Sequence, residues 1–155
     1  MRREYFTITV SNVDWVGDGD PRIPTVHIDF QGPESTLRSR LNDSAGDLLD
    51  AGDTDVAFRL KTPVDDPDAD GVVSVTNRLT GDYILELNVD AEDVLDFIRA
   101  AREYAEATDG DVKYRVEIEF DGEHAVTYEK TTFLVYNRDG DLLRAKSLIP
   151  SGVEL

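Results

Sequence analysis

The stretch DAEDVLDFIRAAREYAEATDG, residues 90–110, decides how the chain is read. Asp90 suits an N-cap, since its carboxylate can accept from free N–H groups of the first helical turn. Glu92 and Asp93 complement the positive end of the helix dipole, and Asp93 follows Asp90 at capping-box spacing. At about 100° per residue, Val94, Phe97, Ile98, Ala101, Tyr104 and Ala105 form one stripe, and Asp96, Arg99, Glu103 and Glu106 lie opposite. Gly110 suits the left-handed position that ends a helix. The segment therefore predicts one long helix over residues 90–109, too short to be stable alone and built to cover a sheet.

Working outward, the flanks read as strands and turns. YFTITV (5–10) and TVHIDF (25–30) alternate as half-buried strands do, and further strands are predicted at 56–60, 72–77, 82–89, 112–120, 125–128 and 132–136, after which a turn at 137–140 leads into 142–145. Residues 78–81 make a hairpin turn between two of them. Leu37, Leu41, Ala45 and Leu48 give a weaker helical segment over 34–50, which Asn42, Asp43 and Gly46 divide into two pieces. The apolar stretch 147–153 is expected to dock on the body of the protein. No regular β-α-β alternation appears. The expected fold is a single α+β domain over 1–155: a mainly antiparallel sheet of about seven to eight strands, packed against the long helix and the weaker one. An acidic surface turn, TPVDDPDADG, occupies 62–71.

Charge is the strongest global signal. The formal net charge is −17, with only four lysines beside twelve arginines, yet 40% of residues are hydrophobic and recur with clear periods, so the pattern is that of a folded chain. Self-repulsion of this size opposes a compact state at ordinary ionic strength. At molar salt the Debye length falls to about 3 Å and the repulsion is screened. The acids are spread through every loop, which favours adaptation to salt over mimicry of nucleic acid. Without a Lys/Arg-dominated stripe, binding to a nucleic-acid backbone is not expected. The absence of Cys excludes disulfides, thiolate metal sites and a catalytic thiol. MRREYFTITV passes straight into a strand without the apolar core of a secretion signal, and no run approaches a membrane span, so a cytoplasmic location is expected.

Three places carry candidate chemistry. The loop at 12–24 is long, holds two glycines and two prolines, and contains the only Trp, Trp15, near Asp18, Asp20 and Arg22. Trp15 reads either as an exposed binding anchor or as a plug folded back over one end of the core. His27 lies on the polar side of its strand, where Asp18 and Asp20 can approach to make a His/carboxylate metal site or an acid–base pair. Asp66, Asp68 and Asp70, followed by Gly71, have the D-x-D-x-D-G opening of a calcium loop, but position twelve is Asn77 where a bidentate Glu is needed, and no helix flanks the segment. No phosphate-binding glycine loop and no hydrolase or metalloprotease motif is present.

MRREYFTITVSNVDW, GVVSVTNRLTGDYILELN, DAEDVLDFIRAAREYAE and TTFLVYNRDGDLLRAKSLIPSG together resemble an uncharacterised protein family of halophilic archaea. The resemblance spans nearly the whole chain and implies a salt-rich cytoplasm, but it brings no activity or catalytic residues. The resulting expectation is a non-enzymatic domain that acts through protein contacts, as a homodimer or with another partner, using the Trp15 loop or an open sheet edge. The alternative is a small-ligand or divalent-metal-binding domain, hydrolytic in one version, centred on Trp15, Asp18, Asp20, Arg22 and His27.

Overall fold

A computed structural model describes residues 5–17, 19–63, 65–108 and 113–149. In chain order its elements are β1 (Phe6–Ser11), β2 (Thr25–Phe30), α1 (Glu34–Arg40), a 3₁₀ turn (Ala51–Asp53), β3 (Thr54–Leu60), β4 (Asp70–Asn77), β5 (Tyr83–Asp90), α2 (Ala91–Thr108), β6 (Tyr114–Phe120), β7 (Glu123–Lys130), β8 (Leu134–Tyr136) and a second 3₁₀ turn (Arg144–Lys146). The α+β class and the eight strands agree with the sequence reading. The single sheet does not.

The strands form two four-stranded sheets, ordered β1-β2-β6-β7 and β5-β4-β3-β8. Both are mixed. Strands β2 and β6 run parallel, with Ile28 opposite Ile118 and Phe30 opposite Phe120, and β3 runs parallel to the short β8. The remaining pairs are antiparallel. Parallel partners need long connections, and here 84 residues separate the end of β2 at Phe30 from Arg115, which pairs with Thr25 at its start. Local alternation carries no trace of such a pairing.

Alternation does decide the faces. Val26, Ile28 and Phe30 on β2, Tyr114, Val116, Ile118 and Phe120 on β6, and Val73 and Val75 on β4 are all buried, and one cluster of buried side chains runs through both sheets and both helices. Helix α2 turns Val94, Phe97, Ile98 and Ala101 into that core, with Ala91 and Ala100 buried beside them, while Tyr104 and Ala105 are half-buried. Its first N–H, from Ala91, donates to the Ala69 carbonyl at 2.9 Å. The predicted ending at Gly110 lies outside the described residues. Phe97 meets Tyr114 edge to face at 5.5 Å, and Tyr114 meets Phe133 at 5.7 Å, so this aromatic trio ties α2 to both sides of the core.

One further expectation needs correction. The helical segment predicted over 34–50 ends at Arg40. Beyond it, Asp43 accepts from the Ala45 and Asp47 amides, and Gly46 adopts φ 87°, so a side-chain-stabilised turn replaces the second helical piece. After the turn at 137–140, Leu142 makes one bridge with Tyr136 and the chain enters the Arg144–Lys146 turn. Of the apolar stretch 147–153 the described part docks, since Leu148 is buried and exchanges backbone hydrogen bonds with Phe133 at 2.8 and 3.0 Å, while 150–153 lie outside the described residues.

Candidate functional site

A cavity of about 660 Å³ lies between the sheets. Its walls come from both inner faces: Val26, Ile28 and Val116 from the first sheet, and Val56, Val73 and Val75 from the second. Phe97 and Phe133 also line it. Strands β1 and β5, the outermost strands of their sheets on this side, flank it with Ile8, Val10 and Val89. On β2, β3, β4 and β6 the wall residues are those that alternation buries, while Ile8, Val10 and Val89 are half-buried.

The polar lining is distributed unevenly. Asn88, Asp90, Asp93 and Asp96 are exposed and Asp70 is half-buried, so they mark the mouth, beside the first turns of α2. Asp70 lies 3.4 Å from the Lys61 ammonium and Asp96 lies 3.3 Å from the Arg99 guanidinium. Among the described residues no Lys, Arg or His lines the cavity itself. An apolar interior with an acidic rim can hold an apolar body and favours a positive charge at its entrance.

The residues singled out in the 12–24 loop are not gathered into one site. Trp15 is buried, at 6% exposure, with its indole N–H donating to the Asn12 carbonyl and its ring edge-on to Tyr104 of α2 at 6.5 Å. Asn12 makes this possible by adopting φ 63°, a left-handed conformation that Asn tolerates, and its side-chain amide donates to Ile23 O across the loop. Of the two readings of Trp15, the structure shows the plug. Arg22 pairs with Asp14 at 2.7 Å on the surface, Asp20 is exposed, and Asp18 lies outside the described residues.

His27 points away from the cavity, on the outer face of the first sheet. Its neighbours are Glu117 and Glu119 of β6, with Nδ1 2.9 Å from Glu117 Oε2 and 3.5 Å from Glu119 Oε1, and Ser11, whose Oγ is 3.0 Å from Nε2. Glu117 and Glu119 were missed in the sequence, although the alternation of YRVEIEF places both on one polar face; the missing information was the parallel β2–β6 register. Asp66, Asp68 and Asp70 do not make a comparable three-ligand group. Asp66 Oδ1 accepts from the Asp68 amide in a local turn, while Asp70 and Gly71 already belong to β4.

Elsewhere a lysine is buried. Lys130 of β7 is 6% exposed, and its pKa is lowered to about 8, chiefly by burial, with Arg78 adding to the effect and Asp55 opposing it. It lines no part of the cavity described above.

One family profile covers the chain from residue 1 to residue 155. The chain belongs to DUF5793, a family of unknown function. No curated protein and no solved structure matches it. Among the described residues of this DUF5793 chain, no helix is long and apolar enough to cross a membrane.

Proposed function

We propose that this protein is a small-molecule-binding domain of a salt-rich cytoplasm, whose ligand seats an apolar body between the two sheets and a cationic group at the aspartate rim. The cavity carries this reading. Its volume falls within the range of small-molecule pockets, and its walls are apolar with a few polar groups gathered at one end, as in most such sites. Burying an alkyl chain against these walls contributes roughly 0.8 kcal/mol per methylene. Among the described residues the lining's candidate bases and nucleophiles are Thr9 and the carboxylates of Asp70, Asp90, Asp93 and Asp96.

Thermal denaturation with a series of linear alkylamines tests the reading. The melting temperature rises with chain length until the cavity is filled. A series without effect, or one in which the matched alkylcarboxylates stabilise equally, counts against it. The salt-rich setting rests on the net charge of −17. It requires the urea midpoint to climb steadily as KCl is raised from about 0.2 M into the molar range, where screening becomes short-ranged. A midpoint indifferent to KCl contradicts it.

A second reading, contact with another protein or a second copy, is favoured by Leu79 and Tyr83. They are 69% and 55% exposed around the turn between β4 and β5. Sedimentation of the chain beside a Leu79→Ser, Tyr83→Ser variant tests it: a dimer lost in the variant supports this reading, and a monomer at all concentrations rejects self-association.

A further inference from the structure

The outer face of the first sheet carries a constellation independent of the cavity. Strand alternation sends Val26 and Ile28 inward and His27 outward, and in the same way it turns Val116 and Ile118 in and Glu117 and Glu119 out. The parallel register sets His27 opposite Glu117, and Glu119 follows two residues along on the same face. Both carboxylates lean toward one ring nitrogen, Nδ1, at 2.9 and 3.5 Å. The three side chains are sheltered, with exposures of 32%, 26% and 25%.

One nitrogen offers one N–H. It can satisfy one carboxylate, and the second is drawn to the same point with no hydrogen left for it. Nearby Asp29 is itself an acceptor and has no hydrogen to offer either glutamate; it accepts from the Gly122 amide at 2.9 Å and the Gln31 side chain at 3.2 Å. A divalent cation resolves the conflict. The ligand atoms of His27, Glu117 and Glu119 all lie within 4.8 Å of one another, so a single ion can bond all three, and two glutamates balance its charge.

We propose that His27, Glu117 and Glu119 form a divalent transition-metal site with one imidazole nitrogen and two carboxylate oxygens as protein ligands and water completing the shell. A mixed nitrogen and oxygen set suits Zn²⁺ or Co²⁺ better than Ca²⁺ or Mg²⁺, which take oxygen donors. Ligation through Nδ1 leaves the ring hydrogen on Nε2, 3.0 Å from Ser11 Oγ. The serine hydroxyl can rotate to accept it, which orients the ring as outer-shell partners of metal-bound histidines do. The site lies on the face opposite the cavity, so it stands or falls separately from the ligand-binding reading.

The test is calorimetric titration of Zn²⁺ into the full chain in chelator-free buffer at a salt concentration that keeps it folded, with nitrogen NMR of the imidazoles followed in parallel. The expected result is one saturable equivalent that shifts the His27 ring nitrogens far more than those of His124, which stands opposite Glu119 on β7. Glu117→Gln and His27→Gln, checked for unchanged circular dichroism, weaken binding at least roughly tenfold. An Asp66→Asn, Asp68→Asn, Asp70→Asn variant binds as the parent does. The proposal is overturned if no saturable equivalent is found, if the two single variants bind as tightly as the parent, or if Zn²⁺ perturbs His124 alone. The NMR arm decides the matter in the unsubstituted protein should a variant fail to fold.

Discussion

The Lys130 ammonium of β7 sits 2.6 Å from the Thr54 carbonyl at the start of β3, joining the two sheets through a buried cation. It also donates to Ala51 O at 2.6 Å and Thr54 Oγ1 at 3.2 Å, so its three oxygen partners are all uncharged. With its pKa lowered from 10.5 to about 8, the native state releases this proton before the unfolded chain does. Between those values the unfolded chain binds more protons, so stability rises with pH. The rise from pH 8 to pH 10 is expected to be about 2–3 kcal/mol. Above pH 10 the sign reverses: burial raises the pKa of Tyr114, and burial with Asp50 and Asp53 raises that of Tyr128 to about 12, so the unfolded chain ionises its tyrosines first. Urea unfolding at constant salt is expected to show greatest stability near pH 10, and Lys130→Met is expected to flatten the rising limb.

The same two tyrosines differ in their hydroxyls. Tyr114 donates to Thr132 O at 2.5 Å, whereas the buried hydroxyl of Tyr128 has no hydrogen-bond partner among the described residues. Tyr114→Phe removes a made bond and strands a carbonyl, which costs about 1–2 kcal/mol. Tyr128→Phe removes only a desolvated group, so stability stays level or rises by up to about 1 kcal/mol. Urea denaturation of the two variants side by side checks the contrast.

Trp15 is the only indole in the chain and is packed on Tyr104. Its emission is expected to be blue-shifted and poorly quenched by acrylamide, an uncharged quencher that the acidic surface does not repel. Trp15→Ala is expected to cost about 3–5 kcal/mol, as large core truncations do. Emission typical of a solvated indole would contradict the packing of the 12–24 loop.

Local pattern made the long helix legible, because its apolar stripe and acidic first turn act within 18 residues. It also indicated which residues of β2 face inward, but the strand predicted at 125–128 stopped short of Lys130, although Val126, Tyr128 and Lys130 alternate as one buried row. A lysine at that position reads as a surface residue until Ala51 and Thr54 come into view from another part of the chain. What stayed hidden is long-range. The partners of His27 are 90 and 92 residues away, the walls of the cavity come from six strands and a helix, and the parallel pairings that assemble both leave no mark on alternation. The weaker helix was misjudged at its far end because the Asp43 carboxylate, bonding two amides beyond it, competes with helical bonding.

The central claim, that the space between the sheets holds an apolar ligand with a cationic head, is tested most directly by amide NMR of the chain titrated with decylamine and, separately, with decanoate. Two variants accompany it, Val10→Phe, which narrows the cavity from its β1 side, and Asp93→Asn, which weakens the rim. The account predicts saturable shifts for decylamine confined to β1, the inner faces of β2 and β4, and the first turns of α2. Affinity is expected to be several-fold weaker for decanoate and for Asp93→Asn, and binding is lost in Val10→Phe. Shifts spread over the surface, or equal binding of both ligands to parent and Val10→Phe alike, would contradict it.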